Sequence, residues 1–103
     1  MNPFPIAGFR YYDGDVAFPE LQPGTALTLR AQPDNPYDPC AVEILHGAWK
    51  FGYVPRFCNR QLSRLLQDAV SLTCEVARIN MDAPSWDAVA VRVALAQPEL
   101  LAA

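Results

Sequence analysis

The chain has 103 residues, about half of them apolar, with eight basic and eleven acidic side chains and a formal net charge of −3. That length fits one small domain with its own core, read over 1–103, and the acidic balance argues against broad, charge-driven binding to duplex DNA. There is no run of about 18 apolar residues for a transmembrane helix, and Met1-Asn2-Pro3-Phe4-Pro5 lacks the basic and apolar regions of a signal peptide, so no membrane association and a cytoplasmic location are expected.

Ile6 to Tyr12 is an apolar–aromatic run that reads as a strand, closed by the turn signal Asp13-Gly14. Val16 to Gly24 reads as a connection ending in a Pro23-Gly24 turn. Ala26 to Gln32 alternates and predicts a second strand. Pro33 to Pro39 holds three prolines and must be a stiff loop. Ala41 to Leu45 is a third strand, and His46-Gly47 marks a hairpin into a fourth, Trp49 to Val54, which Pro55 stops. Leu62, Leu65, Leu66 and Ala69 recur at helical spacing and predict a helix over Asn59 to Ala69, with Arg56, Arg60 and Arg64 every four residues near its start. Ser71 to Asn80 and Ala88 to Leu95 read as fifth and sixth strands around an Asp82-Ala83-Pro84-Ser85 loop. Six short strands with one or two helices imply a mainly β fold, a small closed or half-closed β-barrel with a helical cap.

Three segments concentrate the chemistry: Phe9-Arg10-Tyr11-Tyr12, Asn35-Pro36-Tyr37-Asp38-Pro39 and Gly52-Tyr53-Val54-Pro55-Arg56. They pool four tyrosines, two arginines and one carboxylate. Aromatic faces and guanidinium groups hold unstacked bases and phosphates. Seven of the eight basic residues are arginines, which favours directed planar contacts. The carboxylate of Asp38 has two readings. It can cap an Asx turn inside the proline-rich loop, or it can accept a hydrogen bond from a free hydroxyl while repelling an internal phosphodiester, and so select a chain end. Tyr11 and Tyr12, as neighbours on a strand, point to opposite faces, so at most one faces the core. Arg60 and Arg64 read as a solvated helix face, and Arg30 and Arg78 as surface residues.

In order along the chain, Ala7-Gly8-Phe9-Arg10-Tyr11-Tyr12-Asp13-Gly14, Asn35-Pro36-Tyr37-Asp38-Pro39, Ala41-Val42 and Gly52-Tyr53-Val54-Pro55-Arg56 resemble the HIRAN domain from about Phe4 to Leu95. That family occurs as the N-terminal module of Swi/Snf-type helicases of replication-fork repair and as a stand-alone bacterial domain. The resemblance implies an OB-like six-stranded β-barrel that captures the 3′ end of single-stranded DNA, with a helicase or nuclease as a partner protein. Carried over, Arg10, Tyr11 and Tyr12 line the pocket for the terminal nucleotides. Tyr37 stacks on a base, Asp38 accepts a hydrogen bond from the terminal 3′-hydroxyl, Arg56 contacts a backbone phosphate, and Trp86 is the aromatic before the last strand. The family commonly follows its Asp-Pro pair with asparagine, which can brace the loop; here that place holds Cys40.

No enzyme is expected. There is one histidine and no Ser-His-Asp or Cys-His arrangement, and no phosphate-binding glycine loop that would call for a cofactor. Cys40, Cys58, Cys74 and His46 lack metal-ligand spacing, so no metal is expected, and an odd number of scattered cysteines fits a reducing compartment. A nuclease built on Asp38, a second carboxylate and a divalent ion is the enzymatic alternative. A protein- or peptide-binding barrel without DNA binding is the other alternative, using the aromatic–proline surface around Tyr37.

Overall fold

The computed structural model describes residues 3–9, 21–80, 82–84 and 87–96. In these stretches the chain forms β1 (Phe4–Pro5), β2 (Ala26–Ala31), β3 (Val42–His46), β4 (Trp49–Tyr53), α1 (Arg56–Gln67), β5 (Leu72–Ile79) and β6 (Val89–Leu95). The strands make one antiparallel six-stranded sheet in the order β1-β6-β5-β2-β3-β4. In β2 the alternation read from the sequence is the alternation of burial, with Leu27 buried between the exposed Ala26 and Thr28. In β5, the buried Cys74 and Val76 alternate with the exposed Thr73 and Glu75, as expected for a sheet with one face on the core. The mainly β, barrel-like expectation holds, with one α-helix among the described residues.

The sheet curls until its two edges meet. Just past β1, Ala7 pairs with Tyr53 at the end of β4, each N–H donating to the other's carbonyl at 2.8 and 2.9 Å. This bridge relieves the edge problem of an open sheet. It also fixes a glycine: Gly52 has φ +147°, and a Cβ there would lie 2.2 Å from the Ala7 carbonyl oxygen and 2.9 Å from Ile6 Cγ2. The first strand differs from the expected Ile6–Tyr12. Regular pairing runs through Phe4–Pro5 to the Ala7 bridge, and Gly8, at φ +76°, turns the chain. Arg10, Tyr11 and Tyr12 lie outside the described residues.

Inside the curl, Phe9, Phe51, Ile6, Ile44, Val42, Val76, Val89, Val91 and Val93 are fully buried. The β3–β4 register slips between Ile44 and Leu45, leaving Phe51 as the extra residue of a bulge. Such a bulge sharpens the bend of a strand. Here Phe51 packs edge-on against Phe9 at 5.6 Å between ring centroids. Glu43 is a buried carboxylate, held between Arg30 of β2 and Lys50 of β4, the latter at 3.4 Å. Arg30 is thus more than a surface charge, since truncating either cation would leave part of a buried charge uncompensated.

Helix α1 covers the sheet at β2 and β3. Its inner face is Asn59, Leu62 and Ser63, all buried, with Cys58, Leu65 and Leu66 packed beside them. The helix begins three residues before the expected Asn59. Pro55 ends β4 but also opens α1, because its fixed φ, −59° here, suits a helix start and costs no donor. At the other end Ala69 takes the left-handed conformation, φ 62°, and the Val70 N–H returns to the Leu65 carbonyl at 2.9 Å, a glycine-type helix stop built on alanine.

Candidate functional site

The connection between β2 and β3 is braced at every turn. The Gln32 N–H reaches the Ala41 carbonyl at 2.9 Å and continues the ladder, so residues 33–40 protrude as one closed loop. Asn35 organises its crest. Its Oδ1 accepts the backbone N–H of Tyr37 at 2.9 Å and of Asp38 at 3.1 Å, and its Nδ2 donates to Gln32 Oε1 at 3.1 Å. The same Gln32 oxygen accepts from the Tyr53 hydroxyl at 3.1 Å, and Lys50 Nζ donates to that hydroxyl at 2.7 Å. A chain of hydrogen bonds therefore ties the loop crest to β4. Side-chain acceptors spaced two and three residues from backbone donors are what asparagine offers a turn, and three prolines leave little freedom besides.

Asp38 makes the Asx turn considered for it. Its Oδ1 accepts the Cys40 N–H at 2.8 Å, an Asx turn. Its Oδ2 accepts from Asn59 Nδ2 of α1 at 2.8 Å and lies 3.6 Å from Arg56 Nε. The Cys40 N–H, the Asn59 amide, Arg56 and Arg60 hold the carboxyl below the usual aspartate pKa, against the opposing effect of partial burial. A carboxylate offers about four acceptor sites, and these two hydrogen bonds leave lone pairs open on a side chain that is 21% exposed. Cys40 needs no side-chain bracing role in this arrangement, because Asn35 and Asn59 grip the loop from either end.

Tyr37, Asp38 and Arg56, singled out from the sequence, meet here. They line an open cleft of about 430 Å³ together with Ala7, Asn35, Tyr53, Val54 and Asn59. Tyr37 is 87% exposed with its ring free of any core, which disposes of the alternative that it is a packed loop residue. Arg56 Nη2 donates to the Tyr37 carbonyl at 3.3 Å; with five donors in a planar fork, the guanidinium keeps most of them for a ligand. Arg10, Tyr11, Tyr12 and Trp86 are outside the described residues. Ala7, at the barrel seam, brings the end of the first segment to the cleft wall. Sequence reasoning passed over Asn59, whose side chain is buried while its amide fixes Asp38, and Tyr53, quoted in a motif but not assigned a role. Among the described residues no three His, Cys, Asp or Glu side chains converge as metal ligands, and no helix is long and apolar enough to cross a membrane. Burial, with Glu75 adjacent, pushes the Cys74 thiol up to about 12, so it is packing rather than chemistry.

Comparison with known proteins places these features in a family. Residues 3–96 match the family model of the HIRAN domain. The chain is 29% identical over 92 residues to a Fanconi-associated nuclease 1 homolog of Oryza sativa subsp. japonica; the match takes in 85% of this chain but only 9% of that much longer relative. A crystal structure of a protein from Lactobacillus plantarum superimposes with a TM-score of 0.73 at 24% identity, covering 90% of this chain and 92% of the other. The crystal structure of the HIRAN domain of human HLTF superimposes with a TM-score of 0.63 at 17% identity, covering 89% and 69%. At these identities the two structures attest the shared fold.

Proposed function

The chain belongs to the HIRAN domain family, and from that premise we propose that it is a non-catalytic module that captures the 3′-hydroxyl end of single-stranded DNA. The observation that carries this reading is Asp38. It is braced, kept ionised by its neighbours, and opens with unfilled acceptor sites onto a cleft flanked by an exposed tyrosine and an arginine. An ionised carboxylate accepts hydrogen bonds and repels phosphate, so it favours a terminal hydroxyl over an interior linkage. Tyr37 supplies a stacking face and Arg56 a phosphate contact, with Arg10, Tyr11, Tyr12 and Trp86 completing the end pocket by family resemblance. Neither stacking nor end capture reads base edges, so the module tolerates sequence. In this reading the chemistry at the captured end belongs to a helicase or nuclease partner acting in repair or at stalled forks, a role in keeping with the nuclease among its relatives.

Fluorescence anisotropy with three single-stranded probes tests it: one ending in a 3′-hydroxyl, one in a 3′-phosphate, and a circular strand without ends. At least tenfold tighter binding to the hydroxyl end is expected. Equal affinity for all three removes the role given to Asp38, and no binding to any leaves the barrel as a protein-binding module.

A further inference from the structure

The surface next to the cleft continues it. A second groove shares Tyr37, Asp38, Arg56 and Asn59 with the cleft and adds Phe57 and Arg60. A third shares Phe57 and Arg60 with the second and runs on to Gln61 and Arg64. The second groove thus joins the cleft at the loop to the third, which is lined wholly by α1 residues. Phe57 is 78% exposed, one of the few large apolar side chains among the described residues that the core does not take up. Exposed phenylalanine flanked by arginine every fourth residue is not what an ordinary solvated helix face presents. Positions 57, 60, 61 and 64 fall on one helical stripe.

Charge singles out the same face. The whole chain is acidic, yet α1 holds Arg56, Arg60 and Arg64 and no acidic residue. Arginine in the first turn of a helix opposes the helix dipole, where an acid would be favourable, so local helix stability does not explain Arg56, although Arg64 in the last turn suits the dipole. Among the described residues, Arg30, Lys50, Arg56, Arg78 and Arg92 each have a carboxylate within 4 Å, but Arg60 and Arg64 do not. Two guanidinium groups with no carboxylate within 4 Å, beside an exposed ring, complement a strand of phosphates and unstacked bases.

We propose that the outer face of α1, through Phe57, Arg60 and Arg64, carries the continuation of the captured strand on the 5′ side of its bound end. From Arg56 to Arg64 the helix rises about 12 Å, long enough for Arg60 and Arg64 to meet successive phosphates of an unstacked strand. Arg60 and Arg64 contact phosphates and Phe57 stacks on a base between them. The domain then reads a short tail as well as an end, and its occupied length is set by the helix. This inference rests on the end-capture reading above.

The test compares labelled oligothymidylates of three and ten nucleotides, both with 3′-hydroxyl ends, on the full chain. Wild type is expected to bind the longer strand about tenfold more tightly, with a salt slope steeper by about 1.4, the value for two further phosphates at about 0.7 each. Phe57→Ala and Arg64→Gln, both at exposed positions, are expected to erase most of that advantage and to leave trinucleotide affinity unchanged. Arg64→Lys restores part of the salt slope. Equal wild-type affinity for the two lengths, with end preference intact, overturns the tail track, keeps end capture and leaves Phe57 to a protein partner. Binding of neither strand overturns end capture, and the track with it.

Discussion

At the scale of single residues, the site turns on how one carboxylate is kept charged and aimed. Asp38 accepts from Cys40 N–H and Asn59 Nδ2 while facing Arg56, and together these lower its pKa. The folded form therefore favours the ionised state. Its contribution to stability is present above the unfolded value near 3.8 and is lost as pH falls through the lower folded value. Affinity for a 3′-hydroxyl end should accordingly be flat from neutral pH down to about 4, while the terminal phosphate of the competing probe takes up a proton at about pH 6. Asp38→Asn keeps an oxygen for the Asx turn but removes the charge. It should abolish the preference without unfolding the loop, read as the ratio of the two dissociation constants beside a melting curve that shifts slightly down, because the charge and the acceptor for Asn59 are lost. Asn59→Ala should weaken the ratio severalfold, less than Asp38→Asn, because the carboxylate stays but loses its rigid partner. An unchanged ratio in Asn59→Ala would show that the Asx turn alone positions the group. Tyr37, Asp38 and Arg56 were legible in the sequence because each sits in a short motif of uncommon composition. Asn59 was not, because an asparagine within a helix reads as surface, and its partner is 21 residues away.

Among the elements, the barrel seam is the most exacting contact. Gly52 sits where Ala7 and Tyr53 pair, and a methyl group there would meet the Ala7 carbonyl oxygen at 2.2 Å. The positive φ adds backbone strain for any other residue. Gly52→Ala should therefore cost about 3 kcal/mol from overpacking and strain combined. For a domain of this size that lowers Tm by more than about 10 °C, with hydrogen exchange at Ala7 and Tyr53 rising first. A shift of only one or two degrees would mean that the seam can open without cost. Strand β2 was readable because its alternation is the alternation of burial, and β3 to β6 because short apolar and β-branched runs are bounded by turn residues. The first strand and the helix start were not. Where the first strand ends depends on the turn at Gly8 and on a partner 46 positions away in sequence, and Pro55 signals a strand end as strongly as a helix start. The glycine in Gly52-Tyr53 looked like part of a sequence signature; the structure gives it the plainer task of letting two strands close.

For the molecule as a whole, the opposition between a net charge of −3 and an acid-free helix carrying three arginines sets what kind of nucleic-acid contact is available. An acidic chain does not attract a polyanion as a whole, so the acid-free face of α1 offers a favourable approach. Binding should then depend on a few well-placed contacts instead of bulk attraction. A trinucleotide with a 3′-hydroxyl engages one or two phosphates. At about 0.7 per phosphate its affinity should fall only about fivefold between 50 and 200 mM salt, against the thousandfold or greater loss of proteins that neutralise six or more. Duplex DNA, which offers neither unstacked bases nor a free single-stranded end, should bind weakly even at 50 mM. A titration series of trinucleotide and blunt duplex across that salt range decides the matter. A hundredfold loss for the trinucleotide, or duplex affinity equal to it, would mean that diffuse charge drives binding and that the carboxylate in the cleft selects nothing. A shallow slope with duplex excluded is the signature of a site whose selectivity comes from a few placed contacts and one braced acceptor.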